Sequence, residues 1–231
     1  MTRIAFLCSG GGGNFHFVRD CLSDSLIPGA YLLPVLSDRN GPVTQWCKTN
    51  GHPYQIVDFT LEKQSETLLP IISEFKPDII VTNIARIISP EIVRTFEGKM
   101  INLHYSLLPA FAGTIGFSAS KISLSKQHKF CGVTAHFVSE EVDAGRQIGQ
   151  AAIPVRMSDI QIDGLGDVIF RCGALLLISA ISAIAKGLDD WSDICISIHG
   201  RTIFFNSPET EVARQADTEA RWARVKQAVQ I

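Results

Sequence analysis

The sequence predicts an α/β protein with a mostly parallel sheet, helices on both faces, and a C-terminal hairpin and helix. Three observations predict it. Short apolar β-type runs alternate with helical segments through the first hundred residues, four consecutive glycines (Gly10 to Gly13) close the first run, and the alternation stops after Gly132. Strands separated by helices imply parallel pairing with both faces covered, and ligands then gather beyond the carboxyl ends of the strands.

Residues 3–9 read as the first strand, and the glycines as a tight turn into a helix on which Phe15, Val18, Leu22 and Leu26 recur at helical spacing. Residues 30–36 read as a second strand, and 43–49 as a short helix closed by Asn50 and Gly51. A third strand is expected at 54–59, an amphipathic helix with a potential kink at Pro70 over 61–75, and a doubly buried strand at 78–84. Ser89, Pro90 and Glu91 make a helix start: a cap, a proline at the first position and an acid in the first turn. Residues 99–103 give another strand. Both the glycine loop and residues 102–106 thus fall at carboxyl ends.

Beyond Gly132, residues 133–138 and 147–155 read as two further strands of a mixed sheet, 165–186 as one long apolar helix, and 194–198 with 202–205 as a hairpin around His199, Gly200 and Arg201. Residues 208–231 are polar and read as a surface helix. The expected division is a catalytic part, 1–190, and an extension, 191–231.

Composition narrows the function. With 231 residues, 46% hydrophobic and 19% charged, the chain can bury a substantial core. A formal charge of -2 without a dense Lys/Arg block argues against a nucleic-acid partner. The six cysteines form no CxxC pair and no Cys/His cluster at zinc spacing, so free thiols, no metal and a reduced compartment are expected, with Cys8 and Cys131 in the core. The chain enters its first strand without a secretory pattern, so the expected location is cytoplasmic. The longest apolar stretch, 172–185, is broken by Gly173, Ser179 and Ser182 and is shorter than the ~20 residues of a membrane span. A core or interface helix is expected, with no membrane partner.

The chemistry concentrates in the run Asn102-Leu103-His104-Tyr105-Ser106-Leu107-Leu108-Pro109-Ala110-Phe111-Ala112-Gly113. Period two along a strand sends Asn102 and His104 to one face. An amide and an imidazole at a strand exit suit addition to a carbonyl, one donating to the developing oxyanion and the other supplying charge or moving a proton. They equally suit a strand end capped by two hydrogen-bonding residues. Residues 131–145 tip the balance: CGVTAHFVSEEVDAG carries a strand followed by a loop with Asp143.

Together these segments resemble the 10-formyltetrahydrofolate-dependent formyltransferases, the group that includes glycinamide ribonucleotide transformylase and methionyl-tRNA formyltransferase. The shared pattern is Asn-x-His, SLLPxFxG, then an Asp after a GxTxHFV strand, over roughly residues 3–156. The resemblance implies a Rossmann-like formyltransferase fold and an enzyme moving a formyl group from 10-formyltetrahydrofolate to the amine of a small, phosphorylated acceptor, without a metal. It implies that Asn102 polarises the formyl oxygen, His104 stabilises the tetrahedral intermediate, and Asp143 holds His104 or a proton-carrying water. Ala85, Arg86, Ile87 and Ile88, with Val138, Glu140 and Glu141, would line the folate site, and Gly11, Gly12, Gly13 and Asn14 would hold the acceptor phosphate. His136 falls within the matched strand and reads as a satisfied structural histidine. His16, His52, His128 and His199 have no partners at useful spacing. The glycine loop alone would also suit a dinucleotide, with Asp38 the only candidate ribose ligand.

Two departures bear on the acceptor. The family loop has Ser before Asn where this chain has Gly13, and the helix region 168–178 is apolar apart from Arg171, where the transformylase carries charged residues. The readings carried forward are a transferase acting on phosphoribosylglycinamide, one acting on an amino sugar nucleotide, a 10-formyltetrahydrofolate hydrolase, and a non-catalytic folate-binding protein. A homodimer is a further possibility through the extension.

Overall fold

The structure is a computed structural model. It describes all residues except Met157, Ser158, Ile160, Gln161, Gln230 and Ile231, and the side chains of Ile162, Asp163 and Gly164 are also outside the described set. The chain forms two compact units: Met1–Asn102 with Val138–Glu140 and Thr218–Ile231, and Leu103–Phe137 with Glu141–Asp217.

In the first unit every strand pair is parallel. β1 (Thr2–Cys8) is flanked by β2 (Ala30–Leu32) and β3 (Val35–Ser37) on one side and β5 (Ile79–Asn83) on the other, with β4 (Tyr54–Ile56) outside β3. β6 (Met100–His104) pairs with β5 through Ile80↔Met100 and Val81↔Ile101. Cys8 stands opposite both Ser37 and Asn83, so the carboxyl ends of β1, β3 and β5 line up. The central strands β1, β3 and β5 are short and mostly buried on both faces, as parallel strands between helix layers require, while β2 and β4 are partly exposed. On one face Ala5, Leu7, Leu36, Ile80, Ile92 and Met100 form a continuous apolar cluster.

Three boundaries differ from the sequence expectation. The single strand at 30–36 is split into β2 and β3, because Pro34 has no N–H to donate to the ladder. The strand at 54–59 ends at Ile56; after it, the Asp58 carboxylate accepts from the Thr60 N–H at 2.9 Å and turns the chain away. The helix at 61–75 divides into a 3₁₀ turn, Leu61–Lys63, and α3 (Gln64–Phe75), which contains Pro70. α1 (Gly13–Ser23), α2 (Pro42–Asn50) and α4 (Pro90–Thr95) follow the expected segments, and the Ser89 hydroxyl caps α4 by accepting from the Ile92 N–H at 3.4 Å.

The second unit is antiparallel. β7 (Phe130–Phe137) pairs with β8 (Gln147–Pro154), β8 with β10 (Arg201–Ser207), and β10 with β9 (Ser192–Ile198). A Cβ on Gly132 would lie 2.3 Å from the Ala151 carbonyl, so β7 and β8 approach closely only because this residue is glycine. α5 (Ser118–Ser125) lies in a stretch where no element is expected from periodicity. The long helix α6 (Ile162–Lys186) is buried all round from Arg171 to Ala183, with Cys172, Leu175, Leu176, Leu177 and Ile178 fully inside. Length and composition alone would let it cross a membrane, but 83% of that window is buried within the protein.

The expected single surface helix at 208–231 is two helices. α7 (Thr210–Ala216) belongs to the second unit and α8 (Glu219–Val229) to the first, with Gln230 and Ile231 outside the described residues. α8 buries Arg221, Trp222, Val225 and Ala228, one stripe at helical spacing, and packs on α1. The stripe is short and set among charges, which disguised it.

Candidate active site

β6 ends with Asn102 and His104 two residues apart, and the chain then enters the SLLPAF loop. That loop is pinned to β7 and β8 by side chains. The Thr134 hydroxyl donates to the Ser106 carbonyl at 2.7 Å and accepts from the Leu108 N–H at 3.0 Å; Gln150 donates to the Leu108 carbonyl at 3.1 Å. The anchorage presents the Phe111 carbonyl to His104 Nε2 at 3.1 Å.

Asp143 arrives from the loop between β7 and β8 with φ of +57°, a left-handed conformation that few residues other than glycine adopt and that Asp tolerates better than most. Its Oδ2 accepts from the Gly113 N–H at 2.8 Å and lies 3.1 Å from His104 Nδ1. Oδ1 lies 3.6 Å from His136 Nε2. All three side chains are nearly sealed from solvent, at 5% exposure for His104, 8% for Asp143 and 3% for His136. His104 thus has an oxygen 3.1 Å from each ring nitrogen.

His136 is satisfied on one side only. Nδ1 meets the Phe137 carbonyl at 2.9 Å and must donate there, which leaves Nε2 buried, without a hydrogen-bond partner, and facing Asp143. Burial lowers its pKa below the usual histidine value, against the pull of the Phe137 carbonyl and Asp143. The expectation of a fully satisfied structural histidine therefore fails at Nε2. A signal existed in the sequence: Thr134 and His136 alternate along β7 onto the same face, and Thr134 holds the loop that follows His104. Among the described residues no group of His, Cys, Asp or Glu is arranged to hold a metal ion.

The remaining expected residues lie mainly in the first unit. Ala85 to Ile88 form the turn after β5, fixed by Gln64, which is fully buried, donates to the Ile87 carbonyl at 2.8 Å and accepts from the Ser89 N–H at 2.8 Å. Ile87 stands 62% exposed on this fixed turn. Val138 packs on the same apolar cluster as Ile88, and Glu140 pairs with Arg94 at 2.9 Å. Glu141 belongs to the second unit with His104 and Asp143. Gln64 was not anticipated, since its contacts span 23 and 25 residues.

Gly11, Gly12, Gly13 and Asn14 form the start of α1. Gly12 has φ of +70°, and α1 has no side-chain cap and no acid in its first turn, which suits an incoming anion. The Asn14 amide donates to Asn83 Oδ1 at 3.2 Å. Below the loop His16 is fully buried; its ring nitrogens make no hydrogen bond, and burial, reinforced by Arg19, pushes its pKa down to about 4 although the nearby Gly11 backbone favours the charged form. Asp38 is committed to Arg39 at 2.5 Å and to Arg86 at 3.7 Å rather than presented to a ribose. In the second unit Arg171 donates to Asp167 at 2.9 Å, and His199, which has no partner in the sequence pattern, meets the same carboxylate at 2.6 Å.

A sealed imidazole–carboxylate pair is an arrangement that can hold and move a proton. Residues 2–170 match the formyl transferase family, and the chain belongs to it. Among relatives, the chain is 27% identical to the chloroplastic phosphoribosylglycinamide formyltransferase of Arabidopsis thaliana over 83% of its own length and 68% of that protein's. It is 31% identical to the trifunctional purine biosynthetic protein adenosine-3 of Bos taurus, covering 80% of itself but 18% of that protein. Among solved structures, glycinamide ribonucleotide transformylase 1 from Symbiobacterium toebii superposes with a TM-score of 0.73 at 26% identity, covering 87% of this chain and 93% of that one. A formyltetrahydrofolate deformylase from Pseudomonas syringae shares the fold, with a TM-score of 0.71 at 20% identity over 87% of this chain and 65% of that one.

Proposed function

We propose that this chain transfers the formyl group of 10-formyltetrahydrofolate to the primary amine of a small phosphorylated acceptor, as a phosphoribosylglycinamide formyltransferase does. The observation that carries the reading is the sealed contact of His104 with Asp143, built on the motifs of a family whose similar members bear that name. Asn102 donates to the formyl oxygen as the amine attacks, and a ring N–H of His104 offsets the growing negative charge. Asp143 holds that ring in place. The proton released by the attacking amine passes to the Asp143 carboxylate or to the lone pair on His136 Nε2, and from there to the departing folate nitrogen. Ala85, Arg86, Ile87 and Ile88, with Val138, Glu140 and Glu141, hold the folate. Gly11, Gly12, Gly13 and Asn14 hold the acceptor phosphate through backbone N–H groups. The functional division falls at residue 190, with 191–231 an extension of the catalytic part.

The test is release of tetrahydrofolate from 10-formyltetrahydrofolate, measured with phosphoribosylglycinamide, with an amino sugar nucleotide and with no amine. Turnover only with phosphoribosylglycinamide is expected. Turnover with the sugar nucleotide alone would reassign the acceptor, amine-independent turnover would make the chain a hydrolase, and folate binding without turnover would remove it from the enzymes.

A further inference from the structure

The family match ends at residue 170, yet α8, far beyond it, reaches the glycine loop. The contacts between α8 and α1 fall in a definite order. At the start of α8, Arg221 and Arg224 grip Asp20 and Asp24 at the end of α1, with separations from 2.5 to 3.2 Å. In the middle, Trp222 stacks on Phe17 with ring centroids 4.5 Å apart and planes 19° from parallel. At the end of α8, the Val229 side chain lies 3.4 Å from where a Cβ on Gly11 would stand. The two helices are therefore antiparallel. Eight residues of α8, about 12 Å of rise, span the distance from the ion cluster to the loop.

The loop is thus held from two directions. Val43 of α2 fills the space beside Gly12, where a Cβ would meet it at 2.6 Å, and Val229 abuts Gly11. Gly10 has open space beside it. Backbone N–H groups bind an anion well only if the loop is preorganised, because ordering it on binding subtracts from the affinity.

We infer that α8 is a positioning element for the glycine loop, and that residue 229 is a specificity-determining position of the acceptor site. The inference rests on the phosphate-binding reading of that loop. The ion cluster and the Trp222 stack dock the helix at one end so that its last turn supports Gly11 at the other. An apolar Val229 leaves the field at the loop to the N–H groups of α1, and a charge introduced at 229 adds to or opposes that field. Because Val229 sits at an exposed helix end, substitution there leaves the docking contacts of Arg221, Trp222 and Arg224 in place.

The experiment uses the full chain and inorganic phosphate as probe, with calorimetric titration of wild type, Val229→Lys, Val229→Asp and Val229→Ala. V229K is expected to tighten phosphate and V229D to weaken it, each by roughly three- to tenfold at low salt and less at high salt, and V229A to weaken it about twofold at any salt because the side chain that supports Gly11 is cut back. In turnover, the KM for the phosphorylated acceptor follows the sign of the charge, while kcat and the KM for 10-formyltetrahydrofolate stay fixed. Equal phosphate affinity in all four proteins overturns the inference and leaves the loop assignment standing. No phosphate binding by the wild-type chain overturns the loop assignment and the inference together.

Discussion

Asp20 and Asp143 are both buried aspartates ringed by cationic or potentially cationic partners, and they are built in opposite ways. Asp20 sits on regular helix. Its Oδ1 accepts from Arg224 Nε at 2.8 Å, and its Oδ2 accepts from Arg221 Nε at 3.0 Å and Arg224 Nη2 at 2.7 Å. Its partners are charged at any accessible pH. Burial alone would raise its pKa, but the two guanidinium groups, Arg224 foremost, outweigh that and hold it below the usual carboxylate range. Asp143 takes a left-handed backbone, faces two titratable imidazoles, and leaves one of them at a non-bonding 3.6 Å. A cluster that serves stability fills its acceptors with permanent charges. A cluster that serves proton transfer keeps titratable partners and an open position, and accepts local strain of order 1 kcal/mol.

The difference is sharpest in rate. Replacing His104 by Ala, or Asp143 by Asn, is expected to lower formyl transfer about a thousandfold, or ~4 kcal/mol of barrier, with folate binding and melting temperature little changed. Single-turnover kinetics beside thermal melts would show it; wild-type rates in both variants would take the pair out of the mechanism. Asp20→Ala should do the reverse. It removes one of the two carboxylates that Arg221 holds and leaves Asp24 as the other, and should cost about 1–3 kcal/mol in urea unfolding while kcat at saturating acceptor holds. A loss of kcat with stability intact would reverse the roles assigned to the two clusters.

pH separates the regions further. His16 titrates near 4 when folded against an ordinary 6.5, so between those values the unfolded chain binds a proton that the folded chain does not. Stability therefore falls as pH drops from 6.5 to about 4, by up to ~3 kcal/mol, and then levels for this group. The lowered carboxylates act in a lower window: Asp20, and Asp78, which its partner Arg3 lowers to about 2, stabilise the fold above the ordinary carboxylate pKa, and that contribution is lost as pH falls through their folded values. His16→Phe should flatten unfolding free energy between pH 6.5 and 4.5. An unchanged slope in that variant would place the sensitivity elsewhere.

Much of the site was legible because it is local in sequence. Asn102 and His104 share a strand, the SLLPAF loop follows at once, and Asp143 sits in a short loop after a readable strand. The fold class was legible for a similar reason, since apolar run lengths report burial directly. Less legible were features that depend on distant partners. Gln64 fixes the turn at Ile87 through bonds to residues more than 20 positions away, and His136 reads as structural until its Nε2 is seen facing Asp143. Segment 208–231 read as a polar surface, because its buried stripe is interleaved with arginines whose charges are neutralised by Asp20 and Asp24, about 200 positions earlier.

The sequence by itself determined the class of sheet, the family, and that Asn102 and His104 share the end of one strand, because periodicity and contiguous motifs encode which faces are buried and which groups alternate together. Only the tertiary structure decided which nitrogen of His136 is left open, how Asp143 divides its two oxygens, and that α8 ends against Gly11. Each of those depends on distances between atoms far apart along the chain, which packing fixes and a linear pattern of residue types does not encode.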